Sequence, residues 1–275
     1  QMGVRLAQTA YSVNIKERLD FSCALFDAEG NLIANAPHMP VHLGSMGESI
    51  KTVIRKNAGA MRPGDVYVLN DPYNGGTHLP DVTVITPVYP ERQGDASAGD
   101  GPQEAGTVPQ GAATAPLFYV GSRGHHADIG GITPGSMPPF SRTVEEEGVL
   151  LDNVKLVEGG RMREARMRAL LGEARYPARN PDQNIADLRA QIAANEKGVQ
   201  ELHRMVAHFG LDVVKAYMKH VQDNAEECVR RVIGVLKDGE FACEMDNGAV
   251  IRVKIAIGAD RRSAVIDFAG TSAQL

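Results

Sequence analysis

The sequence predicts an α+β fold, with mixed sheets and an αα-hairpin around residues 181–236. Three features of the chain indicate this class. In the first 160 residues, short segments rich in β-branched residues alternate with turns rich in Gly, Pro, Asn and Asp, a pattern typical of strands. Two long segments with apolar residues at helical spacing follow. Alternating apolar and polar residues return at 250–257 and 264–268 and predict a final pair of strands.

The first forty residues predict a helix followed by a hairpin. Apolar residues occur at helical spacing within 3–19. The segments FSCALFD (21–27) and LIANA (32–36) have the composition of strands, and the turn residues DAEGN separate them. We therefore expect these two strands to pair.

A second helix is predicted over residues 43–58. Ser45 and Glu48 have the spacing of a capping box, in which an N-cap hydroxyl and an acidic side chain three residues later each accept from the other's backbone N–H. Gly59 follows directly and would end the helix.

Residues 90–116 differ from the segments on either side. They are rich in Gly, Ala and Pro and nearly free of large apolar groups, so they cannot bury enough surface to offset the entropy of ordering. We interpret them as a disordered surface insertion, with a lid as the alternative. The segments 66–70, 82–89 and 117–122 around them predict buried strands, and the insertion becomes a hairpin loop if the last two pair antiparallel.

The second half of the chain predicts mostly helices. A strand and turn at 154–160 precede an Arg-rich helical segment at 161–174. Asn180 and Pro181 match the N-cap and first position of a helix, and Gly210 would end it. The next helix runs to about residue 236, which completes the predicted αα-hairpin.

Length, charge and cysteine content limit the function. The 275 residues carry a formal net charge of −5, which lacks the basic excess of a nucleic-acid-binding module. No run approaches the ~18 apolar residues needed to span a bilayer. Cys23, Cys228 and Cys243 form no CxxC pair, which argues against a disulfide framework and favours the reducing cytoplasm. Both ends look cut, so we treat 1–275 as one domain of a longer protein, truncated at both ends.

The segment NDPYNGGTHLPDV (70–82) is the first candidate site. Two glycines loosen the backbone between two predicted strands, and His78 and Asp81 follow, three residues apart. Loops at strand ends commonly present reactive groups, and an imidazole and a carboxylate at this spacing can bind one divalent cation. The alternative is a tight turn, in which Asp81 bonds the backbone and His78 is exposed.

The segment GSRGHHADIGG (121–131) is the second candidate site, with a flexible loop as the alternative. His125 and His126 are adjacent, and adjacent side chains of an extended chain point to opposite sides, so at most one faces a given metal. If the strands flanking the insertion pair antiparallel, His78 and His125 reach the same end of the sheet. Two imidazoles and a carboxylate suit Mn²⁺, Fe²⁺ or Zn²⁺.

Other motifs carry less information. In HMPVH (38–42), Pro40 disfavours a helical pair of zinc ligands, so we expect His38 and His42 to line a pocket or to be structural. The sequence has no GxxxxGK[ST], GxGxxG or GxSxG motif, which argues against a phosphate-binding loop and a serine nucleophile.

Four long motifs resemble the hydantoinase B family. They are ERLDFSCALFDAEGNLIANAPHMPVHLGSM (17–46), LNDPYNGGTHLPDVTVITPV (69–88), SRGHHADIGGITPGSMPP (122–139) and QNIADLRAQIAANEKG (183–198). The family includes the B half of 5-oxoprolinases, the B subunit of N-methylhydantoin hydrolases and a subunit of acetone carboxylases. GGITPGSMPPFS and LDVVKAYMKHVQDNAE are most similar to the eukaryotic-type 5-oxoprolinases.

The resemblance implies an enzyme that opens the lactam of 5-oxo-L-proline to L-glutamate with hydrolysis of ATP, in the glutathione cycle. A hydantoinase A-like half, in the same chain or a partner subunit, is expected to bind ATP with Mg²⁺ and to activate the amide carbonyl as a phosphorylated species. No ATP-binding residue is therefore expected here. The B half would hold a divalent metal, Mn, Zn or Fe, and the fragment alone would be inactive. A homodimer of the full-length protein is implied, without nucleic-acid or membrane partners.

The resemblance also implies roles for individual residues. The positions that match metal ligands of the related carboxylase subunits are Glu17, His78, Asp81 and His125. His126 and Asp128 are expected to take part in catalysis, Asp128 by orienting a ligand imidazole through its free N–H. Substrate binding is expected of His38, His42 and Asp71.

Two further hypotheses compete with this one. The first is a sister enzyme, either a hydantoin hydrolase or an acetone carboxylase. The second is a non-catalytic module, stabilised by a metal, that docks the A half.

Overall fold

The computed structural model describes residues 1–36, 39–42, 44–91 and 115–273. It divides into two compact units, Gln1–Leu211 and Asp212–Leu275. Helices and antiparallel sheets occur together, which confirms the α+β class. Within the described ranges, no helix is long and apolar enough to cross a bilayer.

The described strands of the first unit form one seven-stranded antiparallel sheet, in the order β2-β1-β5-β4-β3-β6-β7. They are β1 (Phe21–Phe26), β2 (Leu32–Asn35), β3 (Val66–Leu69), β4 (Asp81–Val88), β5 (Phe118–His125), β6 (Val154–Glu158) and β7 (Arg161–Met162). The predicted hairpin of β1 and β2 is confirmed. β4 and β5 pair antiparallel, as expected for the strands on either side of the insertion, most of which (92–114) lies outside the described residues.

Helices cover both faces of this sheet. They are α1 (Met2–Thr9), α2 (Val13–Lys16), α3 (Met46–Lys56), α4 (Val144–Glu147), α5 (Glu164–Gly172) and α6 (Pro181–Phe209). One core cluster joins Met46 and Ile50 of α3 to Ile85 of β4. The other joins Leu188 of α6 to Val84 of β4. Because side chains alternate along a strand, the odd-numbered residues of β4 lie on the α3 face.

The second unit begins at Asp212, the second residue of α7 (Leu211–Val235). It also contains a sheet in the order β10-β9-β8. Its strands are β8 (Gly239–Glu244), β9 (Val250–Ile257) and β10 (Ala264–Asp267). The last two confirm the predicted pair. β8 was not predicted from the sequence.

The helix predicted over residues 3–19 is interrupted. α1 ends at Thr9, and the backbone of Ala10 is extended, with ψ 154°. The N–H groups of Tyr11 and Ser12 donate to Asp187 Oδ1 at 2.7 and 3.1 Å. A carboxylate on α6 therefore takes the donors that a continuous helix would have used, and a separate helix α2 begins after it.

The predicted capping box of α3 is wrong. Ser45 is the N-cap, but its side chain makes no cap hydrogen bond. Its hydroxyl instead donates to the carbonyl of His42 and accepts from Arg123. Glu48 pairs with Arg55 at 2.7 Å. Arg123 from β5 thus engages the hydroxyl of Ser45, and Arg55 of the same helix engages Glu48, so the capping box does not form.

The start and end of the long helix α6 agree with the sequence prediction. The side chain of Asn180 accepts from the N–H of Gln183, Pro181 opens α6, and Gly210, with φ +83°, follows its end. The segment predicted as one helix at 161–174 contains β7 and then α5.

Candidate metal centre

The candidate centre lies at one end of the β4–β5 ladder, on the α3 face. Asp81 is the first residue of β4 and pairs in register with His125, the last residue of β5. His78 lies three residues before β4, and its ring centroid is 5.1 Å from that of His125. Strand pairing therefore brings the two predicted sites together.

The loop that carries His78 requires glycine at position 75. Gly75 has φ +88°, and a Cβ there would lie 2.8 Å from the hydroxyl of Thr52 and 3.1 Å from the carbonyl of Glu48. The loop thus packs directly against α3, which limits where His78 can lie.

The carboxylate of Asp81 is 1% exposed and is surrounded by imidazoles. His42 Nε2 and His78 Nδ1 each lie 3.1 Å from Oδ2. His125 Nδ1 lies 3.1 Å from Oδ1. The hydroxyl of Thr77 also donates to Oδ2, at 3.2 Å. Both oxygens of this buried carboxylate therefore have partners.

These contacts keep Asp81 ionised. Burial acts to raise its pKa, but hydrogen bonds from the three histidines outweigh burial and hold the pKa well below its usual range. The hydrogen bond to Asp81 also raises the pKa of His78, against the opposing effects of burial and of Arg123. The centre thus contains a stable anion in a mostly buried position.

His42 supports Asp81 from the side away from solvent. It is 1% exposed, and its Nδ1 lies 2.8 Å from the hydroxyl of Ser22. Ser22 Oγ accepts the N–H of Met39, so its own proton is free to go to His42 Nδ1. That assignment leaves the imidazole proton on Nε2, which donates to Asp81. His42 is therefore placed to orient the carboxylate.

The arrangement fits a divalent cation. His78, Asp81 and His125 each offer a ligand atom, and these atoms lie within 4.8 Å of one another. The side chains of His78 and His125 are 38% and 15% exposed, so the group opens to solvent on the His78 side. A cation would take the place of the protons that the imidazoles now share with the carboxylate. Two imidazoles and a carboxylate suit Zn²⁺, Mn²⁺ or Fe²⁺.

Arg123 is a fully buried residue beside this centre that sequence reasoning missed. It lies on β5 two residues before His125, and strand alternation places both on the same face. Burial lowers its pKa to about 10, and the charge of Asp81 opposes that effect. Arg123 is therefore a cation at neutral pH. The signal that could have found it is this spacing of two from His125.

The whole chain, residues 1–275, matches the family model described as hydantoinase B/oxoprolinase. The chain belongs to the hydantoinase B/oxoprolinase family. It is 42% identical to a 5-oxoprolinase of Dictyostelium discoideum and 41% identical to 5-oxoprolinase 1 of Arabidopsis thaliana, over its full length. It spans only 20% and 22% of those relatives.

A solved structure shares the fold of this family member. The crystal structure of an ATP-dependent caprolactamase from Pseudomonas jessenii superposes with a TM-score of 0.75 at 26% identity. The match covers 96% of this chain and 42% of the caprolactamase chain.

Glu17, the fourth ligand implied by the hydantoinase B resemblance, is not part of the group described above. It is an exposed residue that follows α2. Asp20 does approach the group, with Oδ2 3.9 Å from His125 Nδ1. Sequence reasoning missed Asp20, although it lies in the same motif. Glu17 as a ligand stays a prediction.

His126 points away from the centre, as predicted for one of two adjacent histidines. It is buried, its Nε2 lies 3.1 Å from Gln191 Oε1, and Asn184 Nδ2 donates to its Nδ1 at 3.0 Å. Burial lowers its pKa, against weaker opposing effects of Asp187 and Gln191. His126 thus joins β5 to α6, and its catalytic role stays a prediction.

Asp128 organises the glycine-rich loop that follows β5. Its carboxylate accepts from the N–H groups of Gly130 and Gly135 and pairs with Arg179 at 2.8 Å. These contacts occupy both oxygens. Orientation of a ligand imidazole by Asp128 stays a prediction.

The three predicted substrate-binding residues have different positions. His38 lies outside the described residues. His42 is buried beneath Asp81. Asp71 is 4% exposed and accepts from the N–H of Tyr73 and the side chain of Asn74, so it shapes the turn before His78.

Proposed function

We propose that this chain is the metal-holding part of an ATP-dependent cyclic amide hydrolase, which opens 5-oxo-L-proline to L-glutamate. The observation that carries the proposal is the convergence of His78, Asp81 and His125 in a chain 42% identical to a 5-oxoprolinase. The similarity to an ATP-dependent caprolactamase supports a lactam substrate.

In this proposal, individual residues of the chain have separate roles. Asp81, kept anionic by its imidazole partners, would bind the cation together with His78 and His125, with Glu17 as the proposed fourth ligand. His42 would hold the carboxylate of Asp81 in place. A divalent cation bound there would supply Lewis-acid activation of the lactam carbonyl. The substrate would enter on the exposed side of the group, at His78.

ATP would be bound with Mg²⁺ by a hydantoinase A-like half, in the same chain or in a partner subunit. An unstrained lactam is a poor electrophile, and its ring opening at neutral pH is not strongly favourable. ATP would therefore both activate the carbonyl and supply free energy. We place the protein in the cytoplasm, a proposal supported by the three free cysteines Cys23, Cys228 and Cys243. A homodimer of the complete protein is proposed from the family resemblance.

The competing hypothesis of a structural metal has one observation in its favour. Asp81 is almost fully buried and joins three separate segments of the chain through His42, His78 and His125. Metal binding at such a position also contributes to folding.

Replacement of His78 by Ala in the complete protein tests the proposal. Metal content by mass spectrometry, circular dichroism and ATP-dependent release of glutamate from 5-oxo-L-proline are measured together. We expect a folded, metal-depleted and inactive variant, while His220→Ala, an exposed histidine of α7, behaves as wild type.

Three other outcomes contradict the proposal. A folded, metal-free variant with full activity excludes a catalytic metal. An unfolded variant favours the structural module. A wild-type protein that is inactive on 5-oxo-L-proline but active on a hydantoin or on acetone identifies a sister enzyme.

A further inference from the structure

Arg123 connects the sheet to α3 through three hydroxyl groups. Its Nε donates to Thr83 Oγ1 at 2.8 Å, its Nη1 to Ser45 Oγ at 2.5 Å and its Nη2 to Ser49 Oγ at 2.8 Å. Ser45 and Ser49 lie four residues apart, and therefore on the same side of the helix. Among the described residues, its hydrogen-bond acceptors are thus all neutral, although the guanidinium is fully buried.

Each serine extends the contact to a segment that carries a histidine of the centre. The hydroxyl of Ser45 donates to the carbonyl of His42 at 3.2 Å. The hydroxyl of Ser49 donates to the carbonyl of Gly75, three residues before His78. A hydroxyl has a single proton, so a serine that donates onward keeps only lone pairs for the guanidinium. Two hydrogen-bonded chains therefore start at one cation and end at the two histidine-bearing segments.

We infer that Arg123 is a positioning residue, which acts through Ser45 and Ser49 to fix His42 and His78 around Asp81. Arginine suits this role because its planar fork reaches three separate acceptors, whereas the ammonium of lysine is a single point with a flexible stem. The inference rests on the proposed metal centre, since its purpose is to hold the groups around Asp81 in the geometry that binds a cation.

The test uses Ser45→Ala, Ser49→Ala and Arg123→Lys in the complete protein. Ser122→Ala is the matched control, because Ser122 is buried on the same strand but bonds the carbonyl of Gln191 on the α6 side. Two quantities are measured, the Kd for Mn²⁺ and Zn²⁺ by calorimetry, and hydrogen exchange in peptides that cover residues 39–45 and 70–80.

We expect each serine variant to weaken metal binding about 10-fold, and Arg123→Lys up to about 100-fold, the range seen when groups that orient metal ligands are removed. In the absence of metal, hydrogen exchange in both peptides should be faster in these variants than in the wild-type protein. Ser122→Ala should change neither quantity. If Arg123→Lys does not fold, the two serine variants alone test the positioning role.

The outcomes separate this inference from the proposed function. Wild-type metal binding with unchanged Kd and exchange in the serine variants overturns the positioning role and leaves the metal centre intact. Equal weakening in Ser122→Ala also overturns it, because the effect is then general loss of stability. If the wild-type protein binds no metal, the proposed metal centre is overturned. In that case, unchanged hydrogen exchange in the serine variants overturns the positioning role as well. Faster hydrogen exchange in those variants supports the positioning role.

Discussion

The Nε2 atom of His42 lies 3.1 Å from Oδ2 of Asp81, although 39 residues separate them in the chain. Both side chains are 1% exposed. A histidine in this position can hold a carboxylate in one orientation, and substrate binding by His42 stays a prediction. The hydroxyl of Ser22 at Nδ1 selects the tautomer that donates to Asp81.

Replacement of His42 by Ala should therefore weaken metal binding about 10- to 100-fold, because Asp81 loses an orienting donor. Calorimetric titration with Mn²⁺ and Zn²⁺ measures the effect. His203→Ala is the control, since His203 bonds the carbonyl of Tyr89 elsewhere in the first unit. An unchanged Kd in His42→Ala would show that Asp81 needs no support from this side.

Asp81 should contribute a pH-dependent part of the stability. Its pKa is lowered in the folded protein, so the folded state binds fewer protons than the unfolded state. Its contribution is present above the usual aspartate pKa of about 3.9 and is lost as pH falls below that value.

Asp81→Asn should therefore give a shallower dependence of the urea midpoint on pH below about pH 4 than wild type, measured without metal. Asp246→Asn, at an exposed position, is the control. Parallel pH profiles for wild type and Asp81→Asn would refute the role assigned to the carboxylate.

Two glycine substitutions should lower the free energy of unfolding by different amounts. Gly75→Ala combines a positive φ of +88° with contacts of 2.8 and 3.1 Å to α3, whereas Gly59→Ala at φ +72° meets open space. We expect a loss of about 1–2 kcal/mol for Gly59→Ala and about 3–4 kcal/mol for Gly75→Ala. Urea unfolding measures both. Only Gly75→Ala should also weaken metal binding, because its loop carries His78, and equal costs would contradict this packing.

The three cysteines should react differently. Cys23 is 1% exposed, and burial raises the pKa of its thiol to about 12, whereas Cys228 and Cys243 are exposed. Alkylation of the native protein near pH 8 should therefore modify Cys228 and Cys243 and spare Cys23, which reacts only after denaturation. Peptide mass spectrometry identifies the modified residues, and rapid native labelling of Cys23 would contradict its burial.

The raised pKa of Cys23 also has a consequence for stability. The folded state retains a proton that the unfolded state loses, so this contribution is present below about pH 8.5 and falls as pH rises towards 12. Cys23→Ser should flatten the pH dependence of unfolding in that range. Identical profiles would show that Cys23 does not contribute.

The centre was only partly predictable. His78, Asp81 and His125 were named because their motifs resemble a family and because antiparallel pairing of β4 and β5 brings the motifs together. Their meeting was conditional on a register that is visible only in the structure, where Asp81 faces His125. For His42 the sequence left a pocket-lining and a structural role open, and its contact with Asp81 could not be foreseen because 39 residues separate the two.

The sequence by itself determined the features that depend on neighbours in the chain. Asn180 and Pro181 open α6, Gly210 follows its end, and β4 and β5 lie on either side of the insertion, because caps, turns and periodicity act over a few residues. The family motifs belong to the same local information.

Only the tertiary structure decided which groups meet across long distances. Asp187 interrupts the first helix by accepting from Tyr11, 176 residues away, and Arg123 takes the hydroxyl of Ser45 that would otherwise have capped α3. A buried charge requires partners wherever the fold can supply them, and these contacts overrule local preference. The surroundings of Asp81 follow the same rule, because three imidazoles converge on its buried carboxylate.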